Sequence, residues 1–193
     1  MITLIRAIVK FFFIIFYRVE MKGLENVPKE GGIILCSNHV AELDMFVIGY
    51  NLPRLVHWMA KEELMKIPVI GKIFKYLGTF PVRRGAGDIG AIRTVLKLLG
   101  EGKIVGIFPE GTRSRGNRNI AAKAGAVLLA EKSGAPILPV AISASYKPFS
   151  KITVIYGKPF KFDFVTGEKL SGEEMAKLSK EIMHKVYSLL EVS

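Results

Sequence analysis

The residues best suited to chemistry are His39 and Asp44, in Ser37-Asn38-His39-Val40-Ala41-Glu42-Leu43-Asp44. An imidazole backed by a carboxylate is a general base with a fixed tautomer, and it needs no protein nucleophile if the substrate brings its own hydroxyl. Ideal helix geometry opposes the pairing, because five residues rotate a side chain by roughly 140°. Contact therefore requires His39 to lie outside regular helix, with the N-terminal lean of helical side chains helping Asp44 reach back. Backbone amides near Val40 are candidate donors to a developing oxyanion. Cys36 closes an apolar run and reads as a buried thiol, and Ser37 reads as part of a helix cap, so neither is the favoured nucleophile. His57 and His184 read as structural or solvated.

A second stretch, Glu110-Gly111-Thr112-Arg113-Ser114-Arg115, is built for an anion. Gly111 permits a tight backbone, Thr112 and Ser114 carry hydroxyls, and Arg113 and Arg115 carry planar forks suited to a phosphate dianion. Glu110 can lock one arginine by an ion pair and leave the other free. A solvated basic loop is the plain alternative. Gly85-Ala86-Gly87-Asp88-Ile89-Gly90 spells the G-x-G-x-x-G dinucleotide fingerprint. The preceding strand is short and holds Pro81, two arginines crowd the turn, and the run Lys103 to Phe108 offers no ribose-binding acid before Glu110, so these glycines read as a flexible loop.

Strands and helices must bring these stretches together. The apolar run Gly32 to Cys36 predicts a short buried strand that hands over His39, with Asn38 as N-cap of a helix around Met45 to Tyr50. Further strands are expected at Leu55 to Met59, Thr79 to Val82, Lys103 to Phe108, Ile137 to Ile142 and Ile152 to Tyr156, with Pro81 marking an edge or a bulge. Helices are expected from Lys61, from Pro68 to Leu77, from Asp88 to Leu99, and from Ile120 to Lys132. The last helix has a capping box of Ser171 with Glu174 and a stripe of Met175, Leu178, Ile182, Val186 and Leu189. This alternation predicts an α/β fold, an open and mostly parallel sheet flanked by helices, with function in the loops at strand ends.

Residues 1–18 form a separate element, apolar except for Arg6, Lys10 and Arg18. On a helix Arg6, Lys10, Phe13 and Tyr17 share one narrow stripe beside a wide apolar face. The uninterrupted apolar runs are too short to span a bilayer, and no small-residue cleavage site follows, so an amphipathic helix in the membrane interface is expected rather than a span or a signal peptide. A helix simply packed on the domain is the alternative. Residues 19–193 then make one domain, a size that can bury a full core.

The chain carries 28 Lys and Arg against 17 Asp and Glu, and residues 1–160 hold 23 of the basic and 11 of the acidic groups. Such a surface should meet anions: phosphorylated substrates, an acidic carrier protein or anionic lipid. No basic stripe interleaved with aromatics points to nucleic acid. One cysteine excludes an internal disulfide framework, and no Cys/His cluster has metal-ligand spacing, so a reducing compartment and no metal or other cofactor are expected.

Taken together and in order, four stretches resemble the motifs of the glycerolipid acyltransferase family. They are Asn38-His39 with Asp44 after four intervening residues (the HX4D pattern), Gly78-Thr79-Phe80-Pro81-Val82-Arg83-Arg84, Phe108 to Ser114, and Ile137-Leu138-Pro139-Val140. The resemblance covers about residues 20–160 and is closest to bacterial members that acylate 1-acylglycerol 3-phosphate. It implies that His39 is the base and Asp44 its orienting partner. Arg113 and the arginine of the second motif would hold the substrate phosphate, and counting from Pro81 places that arginine at Arg84. Lys61 matches a lysine that members place near the phosphate, and Glu110, Gly111 and Thr112 match the third motif. The chain departs from the pattern at Ala41, where members often carry Ser. The implied reaction moves a fatty acyl group from acyl carrier protein or coenzyme A to the sn-2 hydroxyl of lysophosphatidic acid. It gives phosphatidic acid for phospholipid biosynthesis at the cytoplasmic face of the membrane. Glycerol 3-phosphate or another lysolipid as acceptor, and a non-catalytic basic membrane-binding module, are the alternatives.

Overall fold

The computed structural model describes residues 2–82, 88–114, 120–164 and 169–191. Helix α1 (Ile2–Phe16) leads into strand β1 (Arg18–Lys22), and β2 (Ile33–Ser37) is followed by the short α2 (Asp44–Gly49). Next come β3 (Val56–Lys61), α3 (Glu62–Met65), α4 (Pro68–Tyr76), β4 (Phe80–Val82), α5 (Ile89–Gly100) and β5 (Ile104–Ile107). The remainder is α6 (Gly125–Ser133), β6 (Ile137–Ala144), β7 (Lys151–Tyr156) and α7 (Gly172–Ser188).

The described strands form one seven-stranded sheet in the order β1-β7-β6-β2-β5-β3-β4. All neighbouring pairs are parallel except β6 with β7. The expected open, mostly parallel α/β sheet is thus the observed one, and Pro81 lies in the edge strand β4, where a missing N–H costs no ladder bond on the outer side. Two expectations change. The segment before Gly125 is not helical, so α6 is shorter than the Ile120 to Lys132 pattern suggested. Arg18–Lys22, whose alternating charges gave no clear strand signal, pairs with β7 as the opposite edge.

Strand β2 is buried along its whole length because helices cover both faces of the sheet. Ile33 and Leu35 face one layer with Phe13 of α1 and Val47 and Ile48 of α2, while Ile34 and Cys36 face the other with Val95 and Leu99 of α5 and Ala126 and Ala130 of α6. Each such buried aliphatic chain stabilises by about 1.5–3 kcal/mol relative to exposure. From β2 the chain crosses to β3 on one side, and from β5 it crosses past β2 to β6 on the other. The loops leaving the carboxyl ends of β2 and β5 therefore diverge and leave a crevice between them, the switch point where open α/β sheets bind ligands.

Candidate active site

His39 stands two residues past the end of β2, and its backbone is held on both sides. Its backbone N–H donates to Glu110 Oε2 at 3.2 Å, and its carbonyl accepts from the Ser114 N–H at 2.7 Å and the Ser114 hydroxyl at 2.9 Å. The loops after β2 and β5 are thereby locked to each other across the switch point. The imidazole stacks on Phe108, with ring centroids 4.0 Å apart, and Phe108 stacks in turn on Trp58 at 4.8 Å. Trp58 lies flat against β5 because Gly106 has no side chain there; a Cβ would come within 2.5 Å of the indole.

His39 Nδ1 lies 2.8 Å from Asp44 Oδ2. The helix objection is met because residues between them form a turn and regular helix begins only at Asp44. The same Oδ2 accepts the N–H groups of Val40 at 2.6 Å and Ala41 at 2.9 Å, so one carboxylate oxygen gathers the turn and the ring. Four intervening residues supply just enough chain for that closure. Asp44 is fully buried, and its other oxygen accepts the Tyr146 hydroxyl at 2.6 Å. Burial, and then the charge of Asp44, push the Tyr146 hydroxyl up, so it remains a neutral donor. An ionised carboxylate can only accept, so Nδ1 carries the proton and Nε2 presents its lone pair. Nε2 has no partner among the described residues, and the His39 side chain retains 20% of its exposure.

Several local expectations are corrected by this geometry. Asn38 caps no helix; its amide donates to the Ile142 carbonyl at 2.9 Å and accepts the Ile142 N–H at 2.8 Å. It extends the β2–β6 pairing by a side chain just where the main chain peels away. The amides of Val40 and Ala41 are consumed by Asp44, which removes them as oxyanion donors. Glu110, only 2% exposed, meets no described arginine; it accepts from His39 and, in a short hydrogen bond, from the Tyr187 hydroxyl of α7. The Ser114 hydroxyl is spent on His39. The readings of Cys36 and His57 hold: Cys36 is buried and its thiol is pushed up by that burial, which makes it inert. His57 is a structural group bonded to the Gly78 carbonyl at 2.9 Å and held neutral by burial.

Among the other candidate residues, Thr112 and Arg113 are exposed on the loop after β5, and Arg113 makes a close ion pair with the exposed Glu42. Gly111 adopts φ +64°, and the Lys123 side chain lies over it where a Cβ would stand, 2.7 Å from that position. Lys123 is a third basic group at this loop that its small-residue surroundings, Ala121 to Gly125, did not reveal. Lys61 ends β3, which pairs with β5, so its backbone reaches the same sheet edge as His39; its side chain and all of Arg84 lie outside the described residues. Tyr146 and Tyr187 were likewise missed. Each is a single tyrosine far along the chain, without motif or periodicity around it.

Burial holds the Glu110 carboxyl above its ordinary value of 4.5, although the Tyr187 hydroxyl and the His39 N–H pull it back down. The folded state therefore binds a proton more tightly here than the unfolded chain does. Its contribution is fully present below about pH 4.5 and lost as pH rises through the raised value. Glu110→Gln is expected to remove that slope from unfolding free energies measured by urea titration between pH 4 and 7; an unchanged slope would assign it to other groups.

A family model described as Acyltransferase matches residues 18–143. The Bacillus subtilis protein named 1-acyl-sn-glycerol-3-phosphate acyltransferase is 36% identical over 165 residues, which span 84% of this chain and 79% of that one. The Borreliella burgdorferi protein of the same name is 34% identical over 127 residues, 65% of this chain and about half (51%) of the relative. The crystal structure of the 1-acyl-sn-glycerophosphate (LPA) acyltransferase PlsC from Thermotoga maritima superposes with a TM-score of 0.74 at 26% identity, covering 100% of this chain and 80% of that one. With the family model spanning most of the sheet and the His39–Asp44 turn at its switch point, the chain belongs to the acyltransferase family.

Proposed function

We propose that this enzyme transfers a fatty acyl group from an acyl thioester to the sn-2 hydroxyl of 1-acylglycerol 3-phosphate, giving phosphatidic acid. The observation that carries the mechanism is the 2.8 Å contact of His39 Nδ1 with the buried Asp44, which turns Nε2 outward as a base. His39 takes the hydroxyl proton as the oxygen attacks the thioester carbonyl. The C–O bond forms, the C–S bond breaks, and the proton passes from Nε2 to the departing thiolate. Asp44 stabilises the transient imidazolium, so no acyl-enzyme is needed. Arg113, with Lys61 and Arg84, holds the acceptor phosphate, a positioning effect in which the phosphate displaces Glu42 from Arg113. Lys123 adds charge beside Gly111.

An apolar cavity between α1, α2 and β3, lined by Val9, Met45, Phe46, Trp58 and Leu77, is the proposed acyl groove. Its floor, Trp58, connects through Phe108 to the His39 ring. Acyl carrier protein and coenzyme A are both anionic and both suit the basic surface, so either serves as donor. Residues 1–18 form the membrane-interface element and 19–193 the catalytic domain, placed on the cytoplasmic face of the membrane. No described helix is long and apolar enough to cross a bilayer.

A matrix of acceptors (lysophosphatidic acid, glycerol 3-phosphate, other lysolipids) against both donor classes, read as free thiol released, tests the proposal. Fastest release with lysophosphatidic acid is expected, and no release in any cell of the matrix would refute it. Arg113→Ala is expected to raise KM for lysophosphatidic acid by about 10- to 100-fold with a smaller change in kcat, as befits loss of a charge-assisted phosphate contact. An unchanged KM reassigns Arg113 to its pair with Glu42.

A further inference from the structure

We infer that α4 is a second membrane-contacting element that, together with α1, forms one apolar and basic face for an anionic lipid bilayer. The inference rests on the interfacial role proposed for α1 and extends it to a part of the chain inside the catalytic domain.

The exposed large apolar side chains are not scattered. Seven of them lie in α1, among them Ile8 at 59%, Phe11 at 66% and Ile14 at 61%. Five more fall between Leu64 and Tyr76, on α3, α4 and the turn between them, with Val69 at 68%. Of the other two among the described residues, Phe149 donates its N–H to the Phe16 carbonyl at the end of α1, at 2.7 Å, and Ile89 alone stands apart. A monomeric protein rarely leaves such concentrations in water without a partner.

Both helices sit on the same layer, on either side of α2. Phe13 of α1 stacks on Tyr50, at the end of α2, with centroids 5.7 Å apart, and Phe74 of α4 meets Phe46 of α2 at 6.1 Å. Arg6 and Val9 from α1 and Leu77, next to α4, line the same apolar cavity. The inward stripe of α1 is therefore Arg6, Val9 and Phe13. Arg6 faces inward and donates to the carbonyls of Tyr50 at 3.1 Å and of Leu52 in a short contact. That leaves the apolar side of α1 outermost, next to the outward side of α4.

Charge selects the partner. From Lys61 to Tyr76 there are four lysines, Lys61, Lys66, Lys72 and Lys75, against Glu62 and Glu63 at the start of α3, with Lys66 paired to Glu62 at 3.3 Å; from Ile2 to Arg18 there are Arg6, Lys10 and Arg18 and no acid. Lys72, Lys75 and Lys10 are exposed beside the apolar residues. An apolar face whose α1 and α4 edges carry cations and no acid matches the anionic headgroup boundary of a bilayer, where apolar burial and charge attraction add.

The experiment uses the full chain with an environment-sensitive NBD label at Ile8→Cys, Val69→Cys or Ala176→Cys, the last on the exposed side of α7. The native Cys36 is buried and stays unlabelled. On phosphatidylcholine vesicles containing phosphatidylglycerol, the labels at 8 and 69 should shift to the blue and be quenched by doxyl lipids, and the label at 176 should do neither. A shift at 8 without one at 69 overturns the role of α4 and leaves that of α1 standing. No shift at either overturns both. A shift at 69 without vesicles, with a doubled mass in sedimentation, also overturns it by showing a second copy on this face. Val69→Glu with Ile73→Glu should weaken vesicle binding at least about tenfold with an unchanged melting temperature; unaltered binding counts against the inference.

Discussion

Replacing His39 by alanine is expected to lower kcat by about 10³-fold or more while leaving the fold in place, because a positioned general base contributes on the order of 10²–10⁴. The two effects separate here because the backbone of residue 39, not its ring, ties the loops together. Glu110 accepts its N–H and Ser114 donates twice to its carbonyl, and both ties survive in alanine. Asp44 loses one donor but keeps the amides of Val40 and Ala41 and the Tyr146 hydroxyl. The structural losses are the stack on Phe108, about 0.5–1.5 kcal/mol, and the Nδ1 bond to Asp44, about 1.5–3 kcal/mol for a hydrogen bond to a charged group. Thiol release followed beside thermal unfolding checks both halves. Turnover within tenfold of the parent would mean that another group takes the proton.

The geometry of the candidate site was legible in the sequence where its parts are local or lie at strand ends. His39 and Asp44 stood out because a strand handed over a histidine and a carboxylate followed at short range, and the third-motif loop stood out by its glycine and arginines. What periodicity could not supply was the turn between His39 and Asp44. A helical reading put the two on different faces, whereas the carboxylate organises a non-helical turn by collecting its N–H groups. Asn38 has the composition of a helix cap and works instead as a substitute for a strand residue, since its partner Ile142 is 104 residues away. Tyr146 and Tyr187 are 102 and 77 residues from the carboxylates they serve. Long-range hydrogen bonds leave no trace in a local pattern. The edge strand β1 escaped for a related reason: a half-exposed strand with charges at both ends becomes a strand only when β7 is there to pair with it.

The loops that carry His39, Asp44 and Glu110 are braced from three separate parts of the chain. Asp44 is held by Tyr146 from the β6–β7 connection, Glu110 by Tyr187 from α7, and Asn38 by Ile142 from β6. Tyr146 adopts φ +52°, unusual for a tyrosine, and its ring packs edge-on against Tyr17 at 5.9 Å, directly after α1. Such a backbone persists only where surrounding contacts over-determine it. The fold thus fixes the His39 ring and its tautomer without any ligand, so little reorganisation is left for the proposed reaction.

Asp44 then separates charge from scaffolding, because its two obvious replacements should fail differently. In Asp44→Asn an amide oxygen can still accept from His39 Nδ1, Val40 and Ala41, and the amide nitrogen can face a Tyr146 hydroxyl that rotates to accept. The turn survives, but no negative charge remains behind the imidazolium, and kcat is expected to fall about 10²- to 10⁴-fold with little change in KM for the acceptor. Asp44→Ala removes the acceptor altogether and leaves the amides of Val40 and Ala41 and the Tyr146 hydroxyl without it. At about 1–3 kcal/mol for each buried group left unpaired, the protein should lose stability as well as activity. Measured together, kcat and the urea midpoint tell the two apart: the asparagine variant should melt near the parent, and the alanine variant well below it. An asparagine variant with near-parent turnover would show that the carboxylate serves only to shape the turn. Phosphate positioning would then have to supply the missing rate, and Arg113→Ala would become the more damaging change.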